Sequence, residues 1–194
     1  MERMRIDQDR FWRLLEPEYE RGMMFCRKLI GDRDRGDDLF QDSLVVACTR
    51  LTDLRDEASF RPWLYRIFVN TFKSTVRRPW WRRRTELTPE LEARLLTSDP
   101  TDQLSARRWL NHAFQAVSAD DQALITLHEL DGWPLAELAL LFGKTEGAIK
   151  IQLFRARRTI KAALHKQSRA TASGRRSLST PAREQCAVPK PETE

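Results

Sequence analysis

Glycine is scarce, with 7 in 194 residues, and period-two alternation of β-branched residues is rarer still, which excludes a sheet built on tight hairpins. Cysteine is scarce too. Cys26, Cys48 and Cys186 are odd in number, form no CxxC and have no nearby histidine pair, so neither a disulfide framework nor a zinc site is indicated. That usage fits a reducing compartment. No apolar run approaches the roughly 18 to 20 residues of a membrane span. The N-terminus, MERMRIDQDRFW, lacks the apolar centre of a signal peptide. A cytoplasmic protein without membrane insertion is expected.

Charge is what the chain has in abundance: 32% of residues are Asp, Glu, Lys or Arg, with a net +6. The excess is local. Between 73 and 84 stand Lys73, Arg77, Arg78, Arg82, Arg83 and Arg84 without one acid, and between 144 and 169 eight cations face Glu146 alone. Two basic patches on a nearly neutral remainder suit a polyanion, nucleic acid foremost.

Helical periodicity dominates the chain. Residues 9 to 30 carry Phe11, Leu14, Leu15, Met23, Cys26, Leu29 and Ile30, with a break at Pro17 and a stop at Gly31. From Arg35 to Leu51, Phe40, Leu44, Ala47, Cys48 and Leu51 form a core stripe, with Asp37 and Asp38 in the first turn where the helix dipole favours them. A loop, TDLRDEAS, leads to a helix from Phe60 to Arg78. There Leu64, Ile67, Phe68 and Thr71 make the inner face, and Arg66, Asn70, Lys73 and Arg77 make a polar, basic one. Periodicity fades across Pro79, Pro89 and Pro100, which predicts a linker, and resumes from Leu104 to Leu164. The predicted fold is all-α: two small helical domains, 1–78 and 106–165, joined by a flexible linker at 79–105. The tail, 166–194, has no apolar face and is expected to be disordered.

The second domain contains a helix-turn-helix pattern. SADDQALITLHELDG ends at Asp131-Gly132, WPLAELALLFG turns Leu138 and Leu141 inward, and Gly143 gives the tight turn into GKTEGAIKIQLFRARR. On this last helix Ile149, Leu153, Ala156 and Ile160 share one apolar stripe, while Lys150, Ile151, Phe154, Arg155 and Arg158 point the other way. Apolar residues set among outward arginines gain little from water. A major groove offers thymine methyls, base edges and phosphates together. The blander alternative is a solvated basic helix with two stray apolar residues, or a second packing surface.

These residues carry a resemblance. GKTEGAIKIQLFRARRTIKAAL resembles the promoter-reading region 4 of sigma factors, and DLFQDSLVVA followed by SFRPWLYRIFVNTFKSTVRR resembles their region 2. Order and spacing resemble the extracytoplasmic-function (ECF) group, in which region 3 is missing. About 28 residues separate Arg78 from Arg107, too few for a further three-helix domain.

The resemblance implies core RNA polymerase as partner, through its β′ clamp helices and β flap, promoter DNA as ligand, and an anti-sigma factor as antagonist. It implies no cofactor, no metal and no catalysis. By position it assigns Asp38, Leu39, Gln41 and Asp42 to polymerase binding; helix capping and solvation are the alternative for these acids. It assigns Asn70, Lys73, Arg77 and Arg78 to the non-template strand of the minus-10 element, with the loop at 52–59, including Leu54, capturing an unstacked base. It assigns Lys150, Ile151, Phe154, Arg155, Arg157 and Arg158 to the minus-35 element. Phe60 and Trp63 also match the family but are read as core, and Trp80 and Trp81 are left between base stacking and surface packing. Two departures stand out: Ile151 replaces a small polar residue common in the family, and Pro134 replaces a serine N-cap.

Two other functions compete. A free-standing helix-turn-helix regulator has no need of the basic stripe at 66–77. A metal-dependent nucleic-acid enzyme using Asp34, Asp37, Asp38 and Asp42 lacks a supporting histidine.

Overall fold

A computed structural model describes residues 2–78 and 103–178. The first helical group runs α1 (Glu2–Leu15), a 3₁₀ turn (Glu16–Glu18), α2 (Tyr19–Ile30), α3 (Arg33–Thr49) and α4 (Phe60–Arg77). The second runs α5 (Gln103–Phe114), α6 (Ala119–Ile125) ending in a π turn (Thr126–Leu130), α7 (Leu135–Phe142) and α8 (Glu146–Leu178). Among the described residues every element is helical.

Local chemistry explains the boundaries. Pro17 interrupts the ladder between α1 and α2, as a missing N–H must. Gly31 closes α2 at φ 73°, a left-handed conformation that glycine adopts without strain. The Asp32 carboxylate caps α3 by accepting from the Arg35 N–H at 3.0 Å. Two 3₁₀ turns, Leu51–Asp53 and Glu57–Ser59, fill the loop before α4. In the second group the Ser118 hydroxyl accepts from Asp121 N–H at 3.1 Å and starts α6.

The first core is aromatic. Phe40 and Phe25 lie 5.6 and 6.3 Å from Phe68, and Tyr65 lies 5.2 Å from Phe25. Phe11 of α1 reaches Phe60 at 6.2 Å. Helices α2 and α3 approach so closely that a Cβ on Gly36 would stand 2.5 Å from the Arg27 Cα.

The two groups close on one another and share one core. Trp133, 1% exposed, places its ring 4.7 Å from Tyr65, and the Arg61 guanidinium stands over the same ring at 4.2 Å. Polar contacts line the seam. Arg66 of α4 donates to the carbonyls of Leu141 (2.9 Å) and Leu140 (2.7 Å), Lys73 pairs with Asp120, and Lys28 pairs with Asp131. Gln122 donates to the Leu29 carbonyl at 2.7 Å. The sequence, read as two domains, gives no sign that they meet, because the paired residues stand 47 to 103 positions apart and periodicity within a helix does not encode such pairs.

The expected linker at 79–102 lies outside the described residues, and positions 103–105 already belong to α5. The tail is corrected in part: α8 continues to Leu178, so 166–178 is helical. Alanine, lysine and arginine are good helix formers, and no proline intervenes before Pro181. Residues 179–194 lie outside the described residues.

Candidate nucleic-acid interface

The helix-turn-helix is built as its spacing predicts. Pro134 stands at the N-cap of α7 without a side-chain bond, and its fixed φ of −68° suits that place. Leu138 and Leu141 are buried. Gly143, at φ 64°, turns the chain, and Lys144 N–H closes the end of α7 on the Ala139 carbonyl at 2.9 Å. The Thr145 hydroxyl accepts from Ala148 N–H at 3.2 Å and opens α8.

Helix α8 then divides as its pattern requires. Ile149, Leu153 and Ala156 are buried, whereas Ile151 is 55% and Phe154 64% exposed. Lys150, Arg155 and Arg158 are exposed on that outer side. Arg157 is exposed as well but is anchored, its Nε donating to Glu129 at 2.8 Å. The axial rotation of α8 is braced by a pair the sequence does not reveal: Gln152 donates to Asp121 at 2.7 Å and accepts from Lys144 at 2.6 Å. Only the fold brings residues 121 and 152 together.

The α4 stripe is divided. Asn70, Arg77 and Arg78 are exposed. Lys73 is half-buried, its Nζ 2.9 and 3.0 Å from the two oxygens of Asp120. Leu54 is corrected: at 5% exposure it is a core residue under the loop and cannot meet a base edge in this conformation. Phe60 is buried and Trp63 half-buried against it at 5.7 Å, so both serve packing. Trp80 and Trp81 lie outside the described residues.

The acidic surface of α3 presents Asp38, Gln41 and Asp42 to solvent. Leu39 is corrected, since it is 3% exposed and points into the core behind them. Asp37 is engaged by Arg27, whose hydrogen bond holds the carboxyl below the usual aspartate range. Among the described residues no group of three or more His, Cys, Asp or Glu could hold a metal ion. None of their helices is long and apolar enough to cross a membrane.

This arrangement has known counterparts. Residues 107–160 match the family described as sigma-70, region 4, and residues 25–69 match the sigma2 domain of PhyR. RNA polymerase sigma factor NccH of Alcaligenes xylosoxydans xylosoxydans is 31% identical over 134 residues, covering 66% of this chain and 72% of NccH. ECF RNA polymerase sigma factor EcfG of Rhodopseudomonas palustris (strain TIE-1) is 29% identical over 143 residues, covering 73% and 77%. The ECF RNA polymerase sigma-E factor of Escherichia coli (strain K12) is 28% identical over 134 residues, covering 63% and 70%. Two solved structures share the fold. One is the sigma factor RpoE with the anti-sigma factor NepR from Bartonella quintana (TM-score 0.55, 22% identity, covering 80% of this chain and 96% of that one). The other is CnrH with the cytosolic domain of CnrY (TM-score 0.56, 24% identity, covering 82% and 90%). With both helical blocks matched in order and a relative above 30% identity, the chain belongs to the extracytoplasmic-function family of RNA polymerase sigma factors.

Proposed function

We propose that the chain is a dissociable promoter-specificity subunit that binds core RNA polymerase, reads a minus-35 and a minus-10 element and assists strand separation at the inner one. The observation that carries this is α8. A buried Ile149, Leu153, Ala156 stripe fixes it on a helix-turn-helix scaffold, while Ile151, Phe154, Arg155 and Arg158 face outward as a mixed apolar and cationic surface. Such a surface matches a major groove, where methyl groups and phosphates lie side by side. Asn70, with Arg77 and Arg78, supplies amide and cationic groups for an unpaired strand. Asp38, Gln41 and Asp42 supply an exposed polar edge for the polymerase clamp.

The chain performs no chemistry of its own in this scheme; phosphoryl transfer belongs to the polymerase. It acts in the cytoplasm, where polymerase and promoter are. RpoE and CnrH were each solved with another protein bound, and a protein antagonist fits this chain too. The test is run-off transcription. Purified chain added to core polymerase should start transcripts from a discrete set of promoters, and no promoter-dependent product from any genomic fragment would refute the reading.

A further inference from the structure

Helix α8 runs on past the core that holds it. Ile160 packs against that core, and Ala163 and Leu164 are half-buried, but beyond them the described side chains of His165, Lys166, Ser168 and Arg169 are all exposed. The helix nevertheless continues to Leu178, which adds about 21 Å at roughly 1.5 Å per residue. Packing does not account for that length.

The extension keeps the register of the reading face. Ile151, Arg155 and Arg158 stand at i, i+4 and i+7, and Ala162, His165 and Arg169 follow at i+11, i+14 and i+18 on the same side. Lys161 and Lys166 flank that line, both exposed. Between Glu146 and Glu184 the sequence contains no acid, whereas 161–178 holds Lys161, Lys166, Arg169, Arg175 and Arg176. Among the described residues the one ion pair of α8 is that of Arg157 with Glu129, nearer its start. Arg158 and Lys161, and again Lys166 and Arg169, stand three residues apart, and like charges at that spacing weaken a helix in water. A polyanion laid along the stripe turns this repulsion into attraction.

We infer that residues 161–178 of α8 are a second duplex-binding segment, which carries the reading face past the minus-35 element and holds the flanking phosphates. Continuous basic helices can lie across a major groove and meet its backbone in this way. The segment adds affinity and no sequence preference: among the described residues of α8, no large apolar side chain beyond Phe154 is exposed, so cations are offered to phosphates and little to base edges. The inference rests on the reading of α8 as the duplex-reading helix.

The experiment uses holoenzyme assembled from core polymerase and the full chain, comparing the native chain with Lys161→Gln/Lys166→Gln/Arg169→Gln. Glutamine removes the charge and keeps the helix propensity. The salt slope of promoter binding should fall by about 2.7, from about 0.9 for each of three phosphate contacts, and by the same amount on every promoter. In hydroxyl-radical footprints the deoxyriboses at one edge of the minus-35 element should become reactive while the element itself stays protected. A native slope or a native footprint overturns the proposal. So does weaker pull-down of core polymerase by the triple variant, because the stripe then serves a polymerase surface. Arg158→Ala and Ile151→Ser separate the inference from the reading beneath it. If the first leaves the slope and the second leaves the preferred sequence unchanged, α8 is not the duplex reader and the underlying function fails; if both act as expected while the triple variant matches the native chain, only the extension fails.

Discussion

Arg27 meets Asp37 as a fork, Nε to Oδ1 at 2.6 Å and Nη2 to Oδ2 at 2.9 Å, and so ties the last turns of α2 to the start of α3. The bond holds the Asp37 carboxyl below its ordinary value and raises the guanidinium above its own. A depressed folded-state pKa means stability that is fully present above the ordinary aspartate value of about 3.9 and lost as pH falls through the lowered one. Asp37→Asn should therefore lower Tm at neutral pH, and the gap to the native chain should narrow below about pH 4. Thermal melts across that range check it; a gap independent of pH would mean the fork has no electrostatic part.

Gly36 faces Arg27 across the same crossing. A Cβ there would lie 2.5 Å from the Arg27 Cα and 2.8 Å from its backbone nitrogen, neither of which can rotate away. Gly36→Ala should cost about 1 to 3 kcal/mol of stability, read by urea denaturation.

The acids of α3 and the leucine between them should behave oppositely. Asp38→Arg or Asp42→Arg, at exposed positions, is expected to weaken core polymerase pull-down with little change in Tm. Leu39→Ala, inside the core, should lose about 2 to 5 kcal/mol of stability first. Native pull-down by both charge-reversal variants would return these acids to a capping and solvation role.

On α8, Arg158→Ala should weaken holoenzyme binding on all promoters alike and reduce the salt slope by about 0.9. Ile151→Ser and Phe154→Ala should leave the slope unchanged and alter the preferred upstream sequence. Arg155→Ala and Lys150→Ala should cost about 1 to 3 kcal/mol on that sequence and less on others. Binding to promoter variants at several salt concentrations decides among these. Loss of stability without any change of preference at 151 and 154 would place both side chains against protein.

Thiol chemistry reports on the core. Cys26 is buried and its thiol is pushed far up by burial, whereas Cys48 is exposed. In a Cys186→Ser background one thiol should react rapidly with a disulfide reagent and the second only on unfolding. Two fast thiols would contradict the packing of α2.

Much of this was legible because helical periodicity is local information. The inward set Leu138, Leu141, Ile149, Leu153 and Ala156 follows from spacing alone, as does the outward pair Ile151 and Phe154. The resemblance sets Leu39 and Leu54 among site residues, yet both are buried, because position within a motif says nothing about which way a side chain turns. The Gln152–Asp121 brace and the Arg66–Leu140 contact join residues 31 and 74 apart, and no periodicity encodes such pairs. The extension of α8 to Leu178 escaped because a helix without an apolar face resembles a solvated tail.

The seam joins two parts of a single chain, so its closing is unimolecular. Tethered partners meet at an effective concentration on the order of millimolar, which no dilution alters. An interface far too weak to hold two separate proteins together can thus stay shut at the lowest expression level. The fraction of open molecules is then a constant of the sequence, the salt and the temperature. Raising the copy number multiplies open and closed forms alike, and only a ligand that prefers one of them changes their ratio.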